Sequence, residues 1–156
     1  MSFPDPKEIL TILLAEDDDG HAELVLGSLR EAGVKNPMKR FRDGQELMKY
    51  LEEVMALGGL EIARPYVLLL DIHMPRMDGL EVLRRVKEDP GMRTLPVIML
   101  TTTDDPREVE ECYRLGCNGY IVKPVGYEPF SETLHRLGLF LSVLRVARTP
   151  LEEGRT

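Results

Sequence analysis

Tyr66-Val67-Leu68-Leu69-Leu70-Asp71-Ile72-His73-Met74-Pro75-Arg76-Met77-Asp78-Gly79-Leu80 passes from an unbroken apolar run, through one carboxylate, into a turn and then a helix. Successive apolar residues without alternation are the pattern of a strand buried on both faces. Asp78-Gly79 opens the following helix, whose Val82, Leu83 and Val86 recur at helical spacing. The same unit repeats in both directions. Strands are expected at 9–15, 38–41, 66–70, 95–100 and 119–122, with helices at 21–31, 45–55, 80–87 and 106–115. Asp105 is placed as an N-cap, with Pro106 at the first helical position and Glu108 completing a capping-box-like start. Gly33 and Gly116 are placed to end the first and fourth helices. Strict β and α alternation predicts a parallel sheet with helices on both faces.

The whole chain has 156 residues, 43% hydrophobic and 30% charged, which predicts one globular domain able to hold a core without disulfides or structural metal. Its formal charge of −7 has the wrong sign for a protein that wraps a phosphate backbone, so no nucleic-acid partner is expected. No apolar run reaches the roughly 18 residues of a membrane span, and the N-terminus lacks a signal-peptide pattern, so a cytoplasmic location is expected. Cys112 and Cys117 match neither a redox pair nor a zinc site and read as reduced thiols. Residues 149–156 read as a frayed tail.

In an open parallel sheet, function gathers beyond the carboxyl ends of the strands. Here those ends are polar: Glu16-Asp17-Asp18-Asp19 after the first, Asp71 after the third, Thr101-Thr102-Thr103 after the fourth and Lys123-Pro124 after the fifth. Each has a plain account by itself. The acidic run could favour a helix dipole, Asp71 could cap a turn, Thr101 could serve β-propensity and Lys123 could be a solvated strand end. Their coincidence at four strand ends is harder to explain that way. Converging carboxylates need compensation, which a hard divalent cation with oxygen ligands supplies, and Mg²⁺ is the natural inference. An aspartate beside such an ion, with a lysine and a hydroxyl, is a plausible phosphoryl acceptor.

At residues 66–79 the sequence closely resembles the phosphoacceptor segment of two-component response regulator receiver domains. The acidic pair, the threonine and the Lys-Pro dipeptide follow in the same order, with Thr101 30 residues and Lys123 52 residues beyond Asp71. The resemblance covers about residues 8–147, taken as the receiver domain, with 148–156 as a flexible tail. It implies a flavodoxin-like, doubly wound (βα)5 fold with strand order 2-1-3-4-5 and an extended C-terminal helix. It implies Asp71 as the phosphorylated residue, and Glu16, Asp17, Asp71 and the backbone carbonyl of His73 as the Mg²⁺ site. Thr101 and Tyr120 resemble the switch pair, and Lys123 the phosphate-pairing lysine before a typically cis proline peptide. Asp18 and Asp19 are left as helix-capping charges. The expected activity is phosphate acceptance from a histidine kinase, with no enzymatic role beyond self-catalysed phosphotransfer and autodephosphorylation.

His73 departs from the common pattern, which favours a small polar residue such as Asn there, and Thr103 holds the equivalent place past Thr101. The long second connection at 56–65 and the Leu100-Thr101-Thr102 run look more like regulators that partner bacterial phytochromes than chemotaxis receivers. With no room for an output domain, output is expected through a protein contact. Residues 131–146 carry two apolar stripes, one of them surplus to a packed receiver, so homodimerisation involving Leu137, Phe140, Leu141 and Leu144 is expected. Two readings from other classes stand beside this one. A haloacid dehalogenase-like phosphohydrolase would share the nucleophile and cation, but wants an Asp where His73 stands; a degenerate receiver would bind no Mg²⁺. Within the receiver reading, a phosphate shuttle or sink is the other role.

Overall fold

The computed structural model describes residues 10–58, 65–102 and 105–122. Among the described residues, five strands and four helices alternate: β1 (Thr11–Ala15), α1 (Asp19–Glu31), β2 (Met38–Phe41), α2 (Gly44–Ala56), β3 (Tyr66–Asp71), α3 (Gly79–Glu88), β4 (Val97–Thr101), α4 (Pro106–Arg114) and β5 (Gly119–Val122). The strands form one sheet ordered β2-β1-β3-β4-β5, every pair parallel, as the alternation predicts. The expected boundaries shift modestly. Asp71 and Thr101 end their strands instead of following them, and β4 begins at Val97, after Pro96. The expected helix at 131–146, the tail, Thr103, Lys123 and the peptide before Pro124 lie outside the described residues.

Burial explains the order. Every residue of β1 and all but the first of β3 are buried, whereas edge strands β2 and β5 are largely half-exposed. The period of two along a strand separates two cores. Leu13, Ala15, Leu68, Leu70, Val97 and Met99 face one side, with Leu47, Leu51, Val82, Leu83, Val86 and Cys112 from α2, α3 and α4. Ile12, Leu14, Val67, Leu69 and Leu100 face the other, under Ala22, Val25 and Leu29 of α1.

Asp18, Asp43, Asp78 and Asp105 are the N-caps of the four helices, and each accepts a backbone N–H at 2.8 to 2.9 Å. Each carboxylate also meets the positive end of a helix dipole. Gly33 and Gly116 follow α1 and α4 with φ of 93° and 102°, the left-handed conformation that ends a helix at little steric cost to glycine. Cys112 and Cys117 are free, buried thiols, and burial pushes that of Cys112 up to about 12. Among the described residues, no helix is long and apolar enough to cross a membrane.

Candidate functional site

The β2-β1-β3 order makes β1 and β3 neighbours, so their last residues release the chain at one edge of the sheet. One carboxylate oxygen from each of Glu16, Asp17 and Asp71 lies within 4.8 Å of the others. Glu16 and Asp71 are buried, and Asp17 is exposed. This set consists of three anionic oxygen donors, two of them shielded from water. A hard divalent cation fits it, with the exposed side left for water or a phosphoryl oxygen. Thr101 is fully buried at the end of β4, which pairs with β3 on one side and β5 on the other. Tyr120, on β5 opposite Met99, is half-buried and packs against the larger core. The fold thus brings together the two acids after β1 and Asp71, and sets Thr101 on the next strand. Lys123 follows β5 directly but lies outside the described residues.

Several partners of this site escaped the sequence reading. Arg40 on β2 stands opposite Leu14 of β1 and reaches over the acidic loop. Its Nε and Nη2 donate to the Glu16 carbonyl at 3.1 and 2.9 Å, Nη2 also to the Asp17 carbonyl at 3.3 Å, and Nη1 to Asp19 Oδ1 at 2.6 Å. Arg42 joins Asp19 from the outside at 3.2 Å. The hydrogen bond from Arg40, with the charge of Arg42, holds the Asp19 carboxyl below the usual carboxylate range. Asp18 caps α1 as expected; Asp19 also serves as the anchor of these two arginines. A register argument from the 2-1-3 strand order could have found Arg40, because it is a polar residue on the strand beside β1. His21 was less legible: from the first turn of α1, its Nδ1 lies 3.1 Å from Glu16 Oε1.

The loop after β3 has charged neighbours on two sides. Arg76, at φ 67°, sets Nη1 3.6 Å from Asp43 Oδ2, and His73 Nε2 lies 3.5 Å from the buried Glu108 Oε1 of α4. His73 thus lies beside the first turn of α4, without a hydrogen bond to Glu108 Oε1.

A parallel α/β sheet with three carboxylates gathered at the ends of two adjacent central strands defines the class of α/β proteins with an acid pocket suited to a divalent cation. Residues 12–135 match the response regulator receiver domain family. The chain belongs to that family, and its role is phosphorelay signal transduction. It is 34% identical over 113 residues to response regulator Rcp1 of Synechocystis, covering 72% of this chain and 75% of Rcp1. A receiver domain from Rhodospirillum rubrum superposes with a TM-score of 0.82 at 46% identity, covering 89% of this chain and 98% of that one. The Mn²⁺-bound form of Rcp1 superposes at 0.77 with 28% identity, over 88% and 98% of the two chains. The phosphorylated cyanobacterial phytochrome response regulator RcpA does so at 0.74 with 28% identity, over 85% and 94%. Receiver domains of this family work with histidine kinases and are generally signalling proteins without enzymatic turnover.

Proposed function

We propose that Asp71 is the residue this receiver phosphorylates, and that Glu16, Asp17, Asp71 and the His73 carbonyl hold a Mg²⁺ ion during the transfer. The observation that carries this reading is the convergence of the three carboxylates within 4.8 Å. One Asp71 oxygen attacks the phosphorus of a phosphohistidine; the N–P bond breaks, the imidazole leaves, and an acyl phosphate remains on Asp71. Bound Mg²⁺ supplies charge neutralisation for the phosphoryl oxygens. Thr101 offers its hydroxyl to the phosphoryl group from the neighbouring strand, Lys123 offers its ammonium, and Tyr120 follows Thr101 inward. The inactive and active arrangements differ in the contacts that these groups make with the phosphoryl group, and that difference sets the population shift.

The protein acts as a phosphoacceptor and does not turn over a separate substrate. The protein works in the cytoplasm, and its donor is a histidine kinase of the bacteriophytochrome kind, a reading supported by the similarity to RcpA and by the long connection at 56–65. Output proceeds through a homodimer built on Leu137, Phe140, Leu141 and Leu144, a proposal that rests on the apolar pattern of 131–146. Labelling with acetyl phosphate tests the reaction. Wild type should take up phosphate in Mg²⁺ and not in EDTA, and Asp71→Asn should take up none. Sustained release of phosphate from a monoester would instead favour the phosphohydrolase reading. Sedimentation with and without acetyl phosphate tests the dimer; a monomer under both conditions would exclude it.

A further inference from the structure

We infer that Arg40 is a positioning residue for the cation pocket, holding the backbone of Glu16 and Asp17 in the geometry that aims their carboxylates at Asp71. The inference rests on the cation reading given above and goes beyond it, because Arg40 is not among the residues proposed to hold the cation or the phosphoryl group.

Glu16 and Asp17 belong to the short turn between the end of β1 at Ala15 and the start of α1 at Asp19. Three adjacent acids on so short a turn repel one another, and the repulsion favours splaying. Besides the Asp18 cap and His21, two restraints from β2 oppose it. The Glu16 N–H donates to the Phe41 carbonyl at 3.0 Å, tying the turn to β2. The guanidinium of Arg40 supplies the second, spanning both carbonyls with Nε and Nη2 and the Asp19 carboxylate with Nη1. A planar fork with fixed donor directions can satisfy three acceptors at once in a way that an ammonium cannot. The Arg40 side chain is only 18% exposed, and its two bonds to the Glu16 carbonyl are partly buried, so water competes less with these than with its exposed bond to Asp19. Arg42 differs in that its side chain is 67% exposed and meets Asp19 alone.

Charge and positioning make opposite predictions. Arg40 is a cation near a cation site, so if only its charge mattered, Arg40→Gln would bind a divalent ion more tightly and Arg40→Lys would match wild type. If it positions the loop, both substitutions weaken binding, since outer partners of metal ligands typically contribute about tenfold or more to affinity. The probe is Mn²⁺ alone, with free ion read by electron paramagnetic resonance, alongside amide exchange at Asp17, Asp18 and Asp19. Both Arg40 variants should bind Mn²⁺ about tenfold more weakly, with faster exchange at those amides and unchanged exchange in β3. Arg42→Gln should stay within about twofold of wild type, as expected of an exposed ion pair. Wild-type affinity in Arg40→Lys with tighter binding in Arg40→Gln would overturn the positioning role. Faster exchange throughout the sheet in both variants would also overturn it, reducing Arg40 to a stability residue. Wild type that binds no Mn²⁺, or binds it equally well after Asp17→Asn, would refute the cation site itself and the Arg40 role with it.

Discussion

Gly79, the first residue of α3, lies directly against the backbone of Asp71: its N–H donates to the Ile72 carbonyl at 2.6 Å, and a Cβ there would overlap the Asp71 carbonyl oxygen. The same Cβ would come within 2.8 Å of Ile72 Cα. The loop leaving Asp71 therefore closes back on its own strand, and the glycine permits that closure. Asp78 caps the helix from the preceding position through its bond to the Glu81 N–H at 2.9 Å. Asp78-Gly79 is thus both a helix start and the floor under the proposed phosphoacceptor.

Gly79→Ala should lower stability by about 2 kcal/mol, because backbone, not a flexible side-chain end, must move to admit the methyl group. It should also slow labelling by acetyl phosphate, since Asp71 would shift. Asp78→Ala should cost about 1 kcal/mol through the lost cap and leave labelling nearly intact. Urea denaturation paired with labelling rates separates the two effects. Equal labelling rates in both variants would contradict the close approach.

Two other glycines should respond in opposite directions. Gly27 lies inside α1 with nothing within 4 Å of a Cβ, so Gly27→Ala should stabilise by about 1 kcal/mol through helix propensity. Gly116 sits at φ 102° with Lys87 Cγ 3.2 Å from a Cβ, so Gly116→Ala should destabilise by about 1 kcal/mol or more. Thermal melts of the two variants against wild type check both signs.

The buried thiols predict an alkaline weakness. The Cys112 thiol is raised by burial from its ordinary 9.0 to about 12, so it is protonated in both folded and unfolded chains below pH 9. Between those values the unfolded chain loses its proton first, binds fewer protons than the native chain, and gains relative stability as pH rises. The contribution of Cys112 is therefore complete below pH 9 and declines toward pH 12. Chemical denaturation at pH 8 and pH 10 should show a smaller loss in Cys112→Val than in wild type. Equal losses would remove Cys112 as the cause. Neither thiol should react with an aromatic disulfide reagent in the native protein near pH 8.

Much of this was legible in the sequence because the relevant physics is local or periodic. Leu68-Leu69-Leu70 reads as a central strand from its unbroken apolar run, and Asp105-Pro106 reads as a helix start from its capping chemistry. Glu16, Asp17 and Asp71 could be brought together on paper because strand order fixes which ends are adjacent. Side-chain reach across the sheet could not be read in this way. Register alone can place Arg40 beside β1, but the reach of its fork to two carbonyls, and the approaches of His21 to Glu16 and of His73 to Glu108, depend on rotamers, which leave no periodic mark in the chain.

The central claim is that Asp71 carries the phosphoryl group. An acyl phosphate is reduced by borohydride, which would convert a phosphorylated aspartate to homoserine, and peptide mass spectrometry then locates the conversion. Protein treated with acetyl phosphate in Mg²⁺ should show that conversion at residue 71, with none in EDTA. Conversion at Glu16, Asp17 or another acid, or an acid-stable phosphate elsewhere in the chain, would contradict the account.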